Sequence, residues 1–338
     1  MKYDNMPSLA EAHAKYFKVG TCLNSRDFIG HAAIVKKHFN CITDEGMMKW
    51  GPTEPEDGVF TWEEADKIAN FAKENGMALR AHAPLWHIQT AEWTHLDKDG
   101  KPASRELHIE RIERHTKAFC ERYGDQFFCW DVVNEVIDDD PDGGLLRKTK
   151  WLEGVGEDYI DIAYKLARKY APNAQLFYND YNEYNPVKRD KIIRMMKGMQ
   201  ERGIPLDGFG MQSHINVHEF DIGEYKRTIE MYAELGLRIH ITELDVSPYS
   251  ARERMLPAYP YTDELVERQA TIYRQVFAAA REYSDVIDDV TTWGIADDIN
   301  WLDGWLRPGR AHYPLLFYYD HTPKFFTRQI VEDAICGR

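Results

Sequence analysis

The segment FCWDVVNEVIDD, residues 128–139, joins a run of aromatic and β-branched side chains to an acidic loop. Side chains of this kind are enriched in β-strands, so the run predicts a buried strand. The strand ends in Asn134 and Glu135, an amide beside a carboxylate. A carboxylate in this position is either half of a structural ion pair or a chemically active group, and the rest of the chain bears on that choice.

Short apolar segments alternate with longer segments of helical periodicity along all 338 residues. In the segment 63–76, for example, apolar residues recur at positions 65, 68, 69 and 72, and a glycine follows. Eight strand candidates result: FKVGTC (17–22), NCITDE (40–45), MALRAHA (77–83), FCWDVV (128–133), QLFYND (175–180), GFGMQSH (208–214), LRIHITEL (237–244) and DVTTWGI (289–295). Eight such units predict an α/β protein with a (β/α)8 TIM barrel.

An open doubly wound sheet is the competing interpretation of the same alternation. It is disfavoured because the first strand, in VGTCLN, is not followed by the glycine-rich turn of dinucleotide-binding folds. The chain contains no linker-like segment and no break in composition. It therefore predicts a single catalytic domain over residues 1–338.

Composition restricts the partners and the compartment. A formal net charge of −14 argues against binding to nucleic acids and to anionic membrane surfaces. No segment is long and apolar enough for a membrane span, and residues 1–17 lack the apolar core of a signal peptide. The five cysteines are widely spaced and form no CxxC pair, which favours reduced thiols and a cytoplasmic location. The sequence does not indicate the oligomeric state.

In a barrel of this type the active site lies at the carboxyl ends of the strands. The polar residues that follow the predicted strands are Glu45, Lys49, His82, Trp86, His87, Asn134, Glu135, Asn179, Asp180, Tyr181, Asn182, Gln212, His214, Glu243, Asp245 and Trp293. Glu135 and Glu243 follow β-branched runs directly. Two carboxylates directed into one site are typical of glycoside hydrolysis, in which one is the acid and the other the nucleophile or base. For either glutamate alone, a structural ion pair is the alternative.

Six motifs resemble glycoside hydrolase family 10, the β-1,4-xylanases, and in particular its intracellular single-domain members. They occur in the family's order and on the corresponding strands: HAPLWH (82–87), WDVVNE (130–135), FYNDYN (177–182), GMQSH (210–214), ITELD (241–245) and TTWGIADDINWL (291–302). The resemblance covers nearly the whole chain. It implies a retaining endo-β-1,4-xylanase that acts on xylan fragments and xylo-oligosaccharides.

The resemblance also implies the catalytic roles. Glu135 is expected to be the general acid/base, with a raised pKa, and Glu243 the nucleophile that forms a covalent glycosyl-enzyme. Such a mechanism requires the two carboxyl groups to be roughly 5–5.5 Å apart. His214 and Asp245 are expected to orient the Glu243 carboxylate and keep it ionised.

The remaining assignments concern the substrate. The residues expected to bind sugar are Glu45, Lys49, His82, Trp86, Gln89, Asn134, Tyr181, Asn182, Gln212, Trp293 and Trp301. Asn134 is expected to hold the sugar 2-hydroxyl, whereas Tyr181 and Asn182 face the leaving side of the cleaved bond. The family uses no metal ion and no cofactor, so none is expected here.

The sequence departs from the family at Gly46. Family members usually carry Glu-Asn-x-x-Lys at this point, whereas DEGMMK (44–49) has Gly46 in the place of the asparagine. That asparagine normally binds the sugar in the −2 subsite, so substrate length and sugar preference are left open. The same chemistry on another sugar and a non-catalytic sugar-binding barrel are the alternatives. A metal-dependent hydrolase is disfavoured, because the first strand, FKVGTC, lacks a His-x-His pair.

Overall fold

The computed structural model describes residues 5–24, 27–254, 256, 260–305 and 311–338. The domain predicted over 1–338 thus includes positions that lie outside the described residues. By their contacts, the residues group into two compact units. The terminal unit comprises Met1–Ile42, Met211–Glu234 and Arg238–Arg338, and the central unit comprises Thr43–Gly210 and Leu235–Leu237.

All eight predicted strands form in the structure. The strands are β1 (Lys18–Leu23), β2 (Cys41–Asp44), β3 (Ala78–Ala81), β4 (Phe127–Asn134), β5 (Gln175–Asp180), β6 (Gly208–Met211), β7 (His214–Asn216), β8 (Arg238–Ser247) and β9 (Ile287–Thr292). The sixth predicted strand is divided into β6 and β7. Its division has a backbone cause, because Ser213 has φ of 57° and a left-handed residue cannot continue an extended strand.

Helices follow the strands in the order that the periodicity predicts. Those of the central unit are α4 (Trp50–Thr53), α5 (Glu63–Glu74), a 3₁₀ turn (Glu92–His95), α6 (Arg105–Tyr123), α7 (Lys150–Val155), α8 (Tyr159–Tyr170) and α9 (Pro186–Glu201). Those of the terminal unit are α1 (Leu9–His13), α2 (Asp27–Gly30), α3 (Ala32–His38), α10 (Ile222–Ala233), α11 (Ala251–Arg254), α12 (Asp263–Glu282), α13 (Leu302–Trp305) and α14 (Phe325–Cys336). No helix within the described ranges has the length and apolar character needed to cross a bilayer.

Local chemistry sets where these helices begin. The hydroxyls of Ser104 and Thr262 accept hydrogen bonds from backbone N–H groups in the first turns of α6 and α12. Asn185 caps α9, whose first residue is Pro186. These side chains satisfy N–H groups that have no partner inside a helix, and proline has no such group to satisfy.

In the central unit, β3, β4 and β5 pair in parallel, with Ala81 beside Trp130 and Asn134 beside Asn179. Nearly every residue of β4 is buried, as expected for a parallel strand covered on both faces. Asp131, fully buried in the middle of this strand, is a charged residue in an otherwise apolar run. Its carboxylate pairs with Arg80 and also contacts His82, both from the β3 region.

In the terminal unit the strand order is β1-β9-β8-β7, and the registered pairs are parallel. The close approach of β1 to β9 requires Gly20, because a Cβ atom there would collide with the Thr291 hydroxyl. The register of β7 against β8 sets His214 beside Asp245. Two polar residues that are 31 positions apart in the sequence are thereby fixed next to each other by backbone pairing alone.

Candidate active site

Glu243, on β8 of the terminal unit, lies in a buried cluster with His214 and Asp245. His214 Nε2 is 3.1 Å from Glu243 Oε2, and His214 Nδ1 is 2.9 Å from Asp245 Oδ2. Both carboxylates are almost fully buried, whereas the His214 side chain is 21% exposed. The imidazole therefore lies between two acids and faces solvent on one side.

The pKa of His214 reflects this arrangement. Burial alone lowers the pKa of a histidine, but the neighbouring carboxylates, Asp245 first and then Glu243, outweigh that effect and raise it to about 10. At neutral pH the ring is then an imidazolium, and both nitrogens donate hydrogen bonds. A cation that donates to Glu243 favours the ionised form of that carboxylate.

Two tryptophans and a glutamine lie near this cluster in the terminal unit. Trp301 Nε1 donates to Asp245 Oδ2 at 2.6 Å, and the Trp301 ring lies 5.0 Å from the His214 ring. Trp293 is buried, with its ring perpendicular to His214 at 6.5 Å. The Gln212 carbonyl accepts from the Glu243 N–H at 3.0 Å. The two tryptophans thus contact the His214–Asp245 pair, and Gln212 contacts Glu243 through the backbone.

Glu135 is the first residue after β4 in the central unit. Its two carboxylate oxygens accept from separate donors: Oε2 from Trp86 Nε1 at 2.9 Å, and Oε1 from Asn134 Nδ2 at 3.2 Å. Asn134 is itself oriented by Asn179, whose Nδ2 donates to the Asn134 Oδ1 at 2.9 Å. The structure thus brings Glu135, Trp86 and Asn134 together, and Asn179 holds the amide that contacts the acid.

A buried ion pair between Arg80 and Asp131 orients His82. Its Nδ1 is 3.0 Å from Asp131 Oδ2, and the Arg80 guanidinium binds both oxygens of Asp131. Burial raises the pKa of Asp131, but Arg80 outweighs burial and keeps it below its usual range. The three side chains are almost completely buried, so the His82 ring has a fixed orientation.

The loop after β2 carries Glu45 and Lys49. Asp44 Oδ1 accepts from backbone N–H groups of this loop, including Gly46 at 2.8 Å and Met48 at 3.1 Å. Lys49 is buried, and its Nζ lies 4.5 Å from the centre of the Trp86 ring. Lys49 and Trp86, which are both expected to bind sugar, are therefore neighbours.

Gly46 itself leaves space beside Gln89. A Cβ atom added at Gly46 would lie 3.8 Å from Gln89 Nε2, an ordinary van der Waals distance, and no nearer atom intervenes. Gln89 is exposed, and its backbone carbonyl accepts from Gly51 N–H at 2.7 Å. Gly46, which stands where the family motif has asparagine, is thus a buried position at which a Cβ atom would meet no close contact.

The loops after β4 and β5 meet at Tyr181. Arg147 donates to the Tyr181 hydroxyl at 2.7 Å and to the Glu135 carbonyl at 3.0 Å. Lys188 Nζ lies 3.5 Å from the centre of the Tyr181 ring and 2.7 Å from Asp139 Oδ1. These contacts fix the tyrosine, while Asn182, next in sequence, is exposed.

Four residues that follow strands β3 to β6 have left-handed backbone conformations. They are Gln89, Glu135, Asn182 and Ser213, with φ between 52° and 57°. For residues other than glycine this conformation costs on the order of 1–3 kcal/mol, and such strain is concentrated at functional sites. Three of the four are predicted site residues.

The sequence did not predict Arg80, Asp131 or Arg147. Arg80 and Asp131 do give a signal, because each is a charge in the middle of an apolar strand, where only a paired charge is tolerated. Arg147 lies in a loop of irregular sequence, and nothing in its neighbourhood indicates its contacts with Glu135 and Tyr181.

Comparison with known proteins defines the class of this chain. The profile of glycosyl hydrolase family 10 matches residues 8–333. The protein is therefore a glycoside hydrolase. It belongs to glycosyl hydrolase family 10, and the fold class predicted from the sequence, a (β/α)8 barrel, is confirmed.

Individual relatives agree with this assignment. The chain is 45% identical to endo-1,4-beta-xylanase A of Caldicellulosiruptor saccharolyticus, over 94% of this chain and 93% of that protein. A crystal structure of xylanase XynB from Paenibacillus barcinonensis, complexed with a conduramine derivative, has a TM-score of 0.94 at 39% identity and covers 97% of this chain and 98% of its own. A mutant enzyme in complex with xylotriose has a TM-score of 0.93 at 44% identity, over 96% and 99% of the two chains.

Proposed function

We propose that this glycoside hydrolase is a retaining endo-β-1,4-xylanase that cleaves xylan fragments and xylo-oligosaccharides by double displacement. The observation that carries the proposal is the cluster of Glu243, His214 and Asp245 in a chain of family 10. Xylotriose is the ligand of one similar enzyme, and xylanase is the name of the others. A linear β-1,4-linked xylo-oligosaccharide is therefore the partner that we assign to this chain.

In the first step Glu243 attacks the anomeric carbon. An oxygen of its carboxylate forms the new bond as the glycosidic C–O bond breaks, and the sugar becomes covalently attached to the enzyme. The His214 imidazolium donates to Oε2 of this carboxylate, which favours the anionic form that attacks. Asp245 fixes the ring so that the donor does not turn away.

Glu135 transfers the protons. As an acid it protonates the leaving glycosidic oxygen, and as a base it then removes a proton from the water that hydrolyses the glycosyl-enzyme. The Trp86 indole and the Asn134 amide hold its carboxyl group in one orientation through both steps. In the transition state Asn134 also binds the sugar 2-hydroxyl.

The sugar-binding residues divide between donor and leaving sides. Glu45, Lys49, His82, Trp86 and Gln89 bind the donor sugars, Gln212 contacts the reacting sugar, and Trp293 and Trp301 form the apolar wall. Tyr181 and Asn182 receive the leaving sugar. Polar side chains that donate and accept hydrogen bonds, together with flat aromatic rings, suit a neutral sugar chain.

We further infer a cytoplasmic location and imported oligosaccharides as substrates. Cys22, Cys41, Cys120 and Cys129 are buried, and burial raises the pKa of the Cys120 thiol to about 12, which keeps it unreactive. Reduced buried thiols are typical of cytoplasmic proteins. Fractionation of the producing cells tests this inference: activity in the culture medium would refute it.

The reaction itself is tested by incubating the enzyme with xylotetraose and following the products by time-resolved NMR. Product that is initially the β-anomer establishes xylosidic cleavage with retention. Product that is initially the α-anomer means inversion and contradicts the nucleophile role of Glu243. If no cleavage occurs but calorimetry detects binding of xylotetraose, the protein is a non-catalytic sugar-binding barrel and the xylanase proposal is wrong.

Matched variants separate the two glutamates. Glu135→Ala is expected to abolish cleavage of xylotetraose but to retain the first step on an aryl xylobioside with an acidic phenol, which needs no protonation to leave. Glu243→Ala is expected to lose both. Glu282→Gln, on the exposed surface of α12, is the control and is expected to match the wild type.

A β-glucan or aryl glucoside is the second candidate substrate, and Gly46 in place of the family's asparagine favours it. A glucosyl unit differs from a xylosyl unit by a hydroxymethyl group at C5, which needs additional space. The ratio of kcat/KM for aryl xylobioside and aryl cellobioside discriminates between the two. A ratio well above one supports the xylanase proposal, and a ratio below one supports the glucan.

A further inference from the structure

A cluster of His31, Asp298 and His321 in the terminal unit has no part in the chemistry proposed above. His31 lies between α2 and α3, Asp298 in the segment after β9, and His321 in the turn before α14. His31 Nε2 is 3.0 and 3.1 Å from the two oxygens of Asp298, and 3.1 Å from His321 Nε2. His321 Nε2 is 2.9 Å from Asp298 Oδ2.

The ring nitrogens and the carboxylate oxygen form a nearly equilateral triangle. Its sides are 3.1, 3.1 and 2.9 Å. A divalent transition-metal ion lies roughly 2.0–2.2 Å from nitrogen and carboxylate ligands. An ion at this distance from all three corners fits just outside the plane of the triangle, and the far side of the ion remains open to water.

A second layer of contacts orients His31 for this purpose. Asp27 Oδ1 lies 3.0 Å from His31 Nδ1, and Asp27 Oδ2 accepts from the backbone N–H of Asn24 at 2.6 Å. When the ion is bound, the Nδ1–H of His31 donates a hydrogen bond to Asp27, and the unprotonated Nε2 directs its lone pair at the ion. A carboxylate that fixes the tautomer of a histidine in this way is the usual support of a metal-binding imidazole.

The backbone of His321 adds an independent observation. Its φ of 65° is left-handed, outside the region that a histidine prefers, and the strain must be offset by the contacts of the ring. The ring also lies close to α2, where a Cβ atom on Gly30 would be 3.3 Å from His321 Cε1. The chain thus bends to bring this imidazole to the cluster.

We propose that His31, His321 and Asp298 bind one divalent transition-metal ion, of which Zn²⁺ fits two imidazoles and a carboxylate best. The ion links the segment after β9, which continues to Trp301, to the turn before α14 and to the start of α3. Its role is structural. The sequence predicts no metal site because the ligands are 267 and 23 positions apart and form no motif.

The test uses tag-free protein that has been treated with a chelator and dialysed. Isothermal titration with ZnCl₂ is expected to give one site per chain, and saturation is expected to raise the Tm. Cobalt(II) is a second probe, because its visible absorption reports nitrogen ligands directly. Failure of the folded wild type to bind stoichiometric zinc would overturn the proposal.

Three variants localise the site. His321→Ala and Asp298→Asn are expected to lose the stoichiometric binding and the rise in Tm, and Asp27→Asn is expected to weaken affinity by about 10- to 100-fold. His218→Ala is the matched control, since His218 is a partly exposed histidine of the same unit that lies 3.2 Å from Glu253. Zinc binding that is unchanged in His321→Ala, or lost in His218→Ala, would refute the assignment.

Discussion

At the scale of single residues, the charge of His214 is the feature on which the cluster of Glu243, His214 and Asp245 depends. One imidazolium serves two buried carboxylates, and a second donor, the Trp301 indole, shares Asp245. Replacing a buried charge in such a cluster leaves its partners without compensation, which is costly. The histidine therefore contributes to stability as well as to the ionisation of Glu243.

His214→Gln is predicted to change how stability depends on pH. The pKa of His214 is raised from 6.5 in the unfolded chain to about 10 in the folded protein, so its contribution is complete below pH 6.5. The contribution is lost as pH rises through about 10, at up to about 1.4 kcal/mol per pH unit. Urea denaturation at pH 6 to 11 measures this: the difference between the two proteins is expected to shrink with pH. A constant difference would contradict the assigned charge.

Gly46→Asn is predicted to tighten the binding of the second donor sugar. A Cβ atom at this position meets no close contact, and one new hydrogen bond contributes about 0.5–1.5 kcal/mol, or roughly a 2- to 12-fold gain in kcat/KM. The gain is expected on aryl xylobioside and not on aryl xyloside, which lacks that sugar. Gly46→Ala adds a Cβ without an amide and serves as the control. An equal gain from alanine would mean that the amide is irrelevant.

At the scale of elements, the pairing of β3 with β4 places a buried ion pair in the core. Arg80 and Asp131 neutralise each other on adjacent strands, and His82 is oriented by the same aspartate. The hydrogen bonds from Arg80 to Asp131 and between Asp131 and His82 connect the middle of these strands to the carboxyl end of β3. These two strands therefore orient His82, for which we propose a role in sugar binding, from within the core rather than from the loops.

Arg80→Met is predicted to destabilise the protein by about 3–5 kcal/mol, because Asp131 remains buried without a counter-charge. The free energy of unfolding in urea measures the loss. Arg122→Met removes an exposed guanidinium that pairs with Asp66 and is expected to cost at most about 1 kcal/mol. Similar losses in the two variants would show that Asp131 finds another partner or takes up a proton.

Much of this site could be predicted from the sequence, because the end of a strand is a position that periodicity reveals. Asn134, Glu135 and Glu243 could be found because apolar runs lead directly to them. The contacts of Arg147 and the cluster around His31 could not, because they depend on how distant loops fold back. The break at Ser213 was also missed, since nothing in GMQSH distinguishes a left-handed serine from an extended one.

At the scale of the whole molecule, the alternation of strands and helices was sufficient to predict the fold class, and membership of family 10 confirms it. The number of domains is a separate question from the fold class. The sequence predicts one domain over residues 1–338, whereas contacts group the described residues into two units. The terminal unit consists of three chain segments and does not correspond to one continuous piece of sequence, whereas the central unit is continuous except for Leu235–Leu237.

We predict one cooperative unfolding transition for the full chain. A single domain unfolds as a whole, so the calorimetric and van't Hoff enthalpies should agree, and tryptophan fluorescence and circular dichroism should change together. Differential scanning calorimetry measures both enthalpies. Two resolved transitions would instead mean that the central and terminal units unfold independently and would refute the single domain.

The left-handed residues at the strand ends also bear on how this enzyme can be improved in the laboratory. Glycine adopts such a conformation without strain, so libraries selected for heat resistance should be enriched in glycine at Gln89, Glu135 and Ser213. At Glu135 this gain removes the carboxyl group that we propose as the acid/base of the reaction. Selection for stability alone would therefore drive this scaffold toward well-folded but inactive descendants, and a screen must demand sugar release in every round.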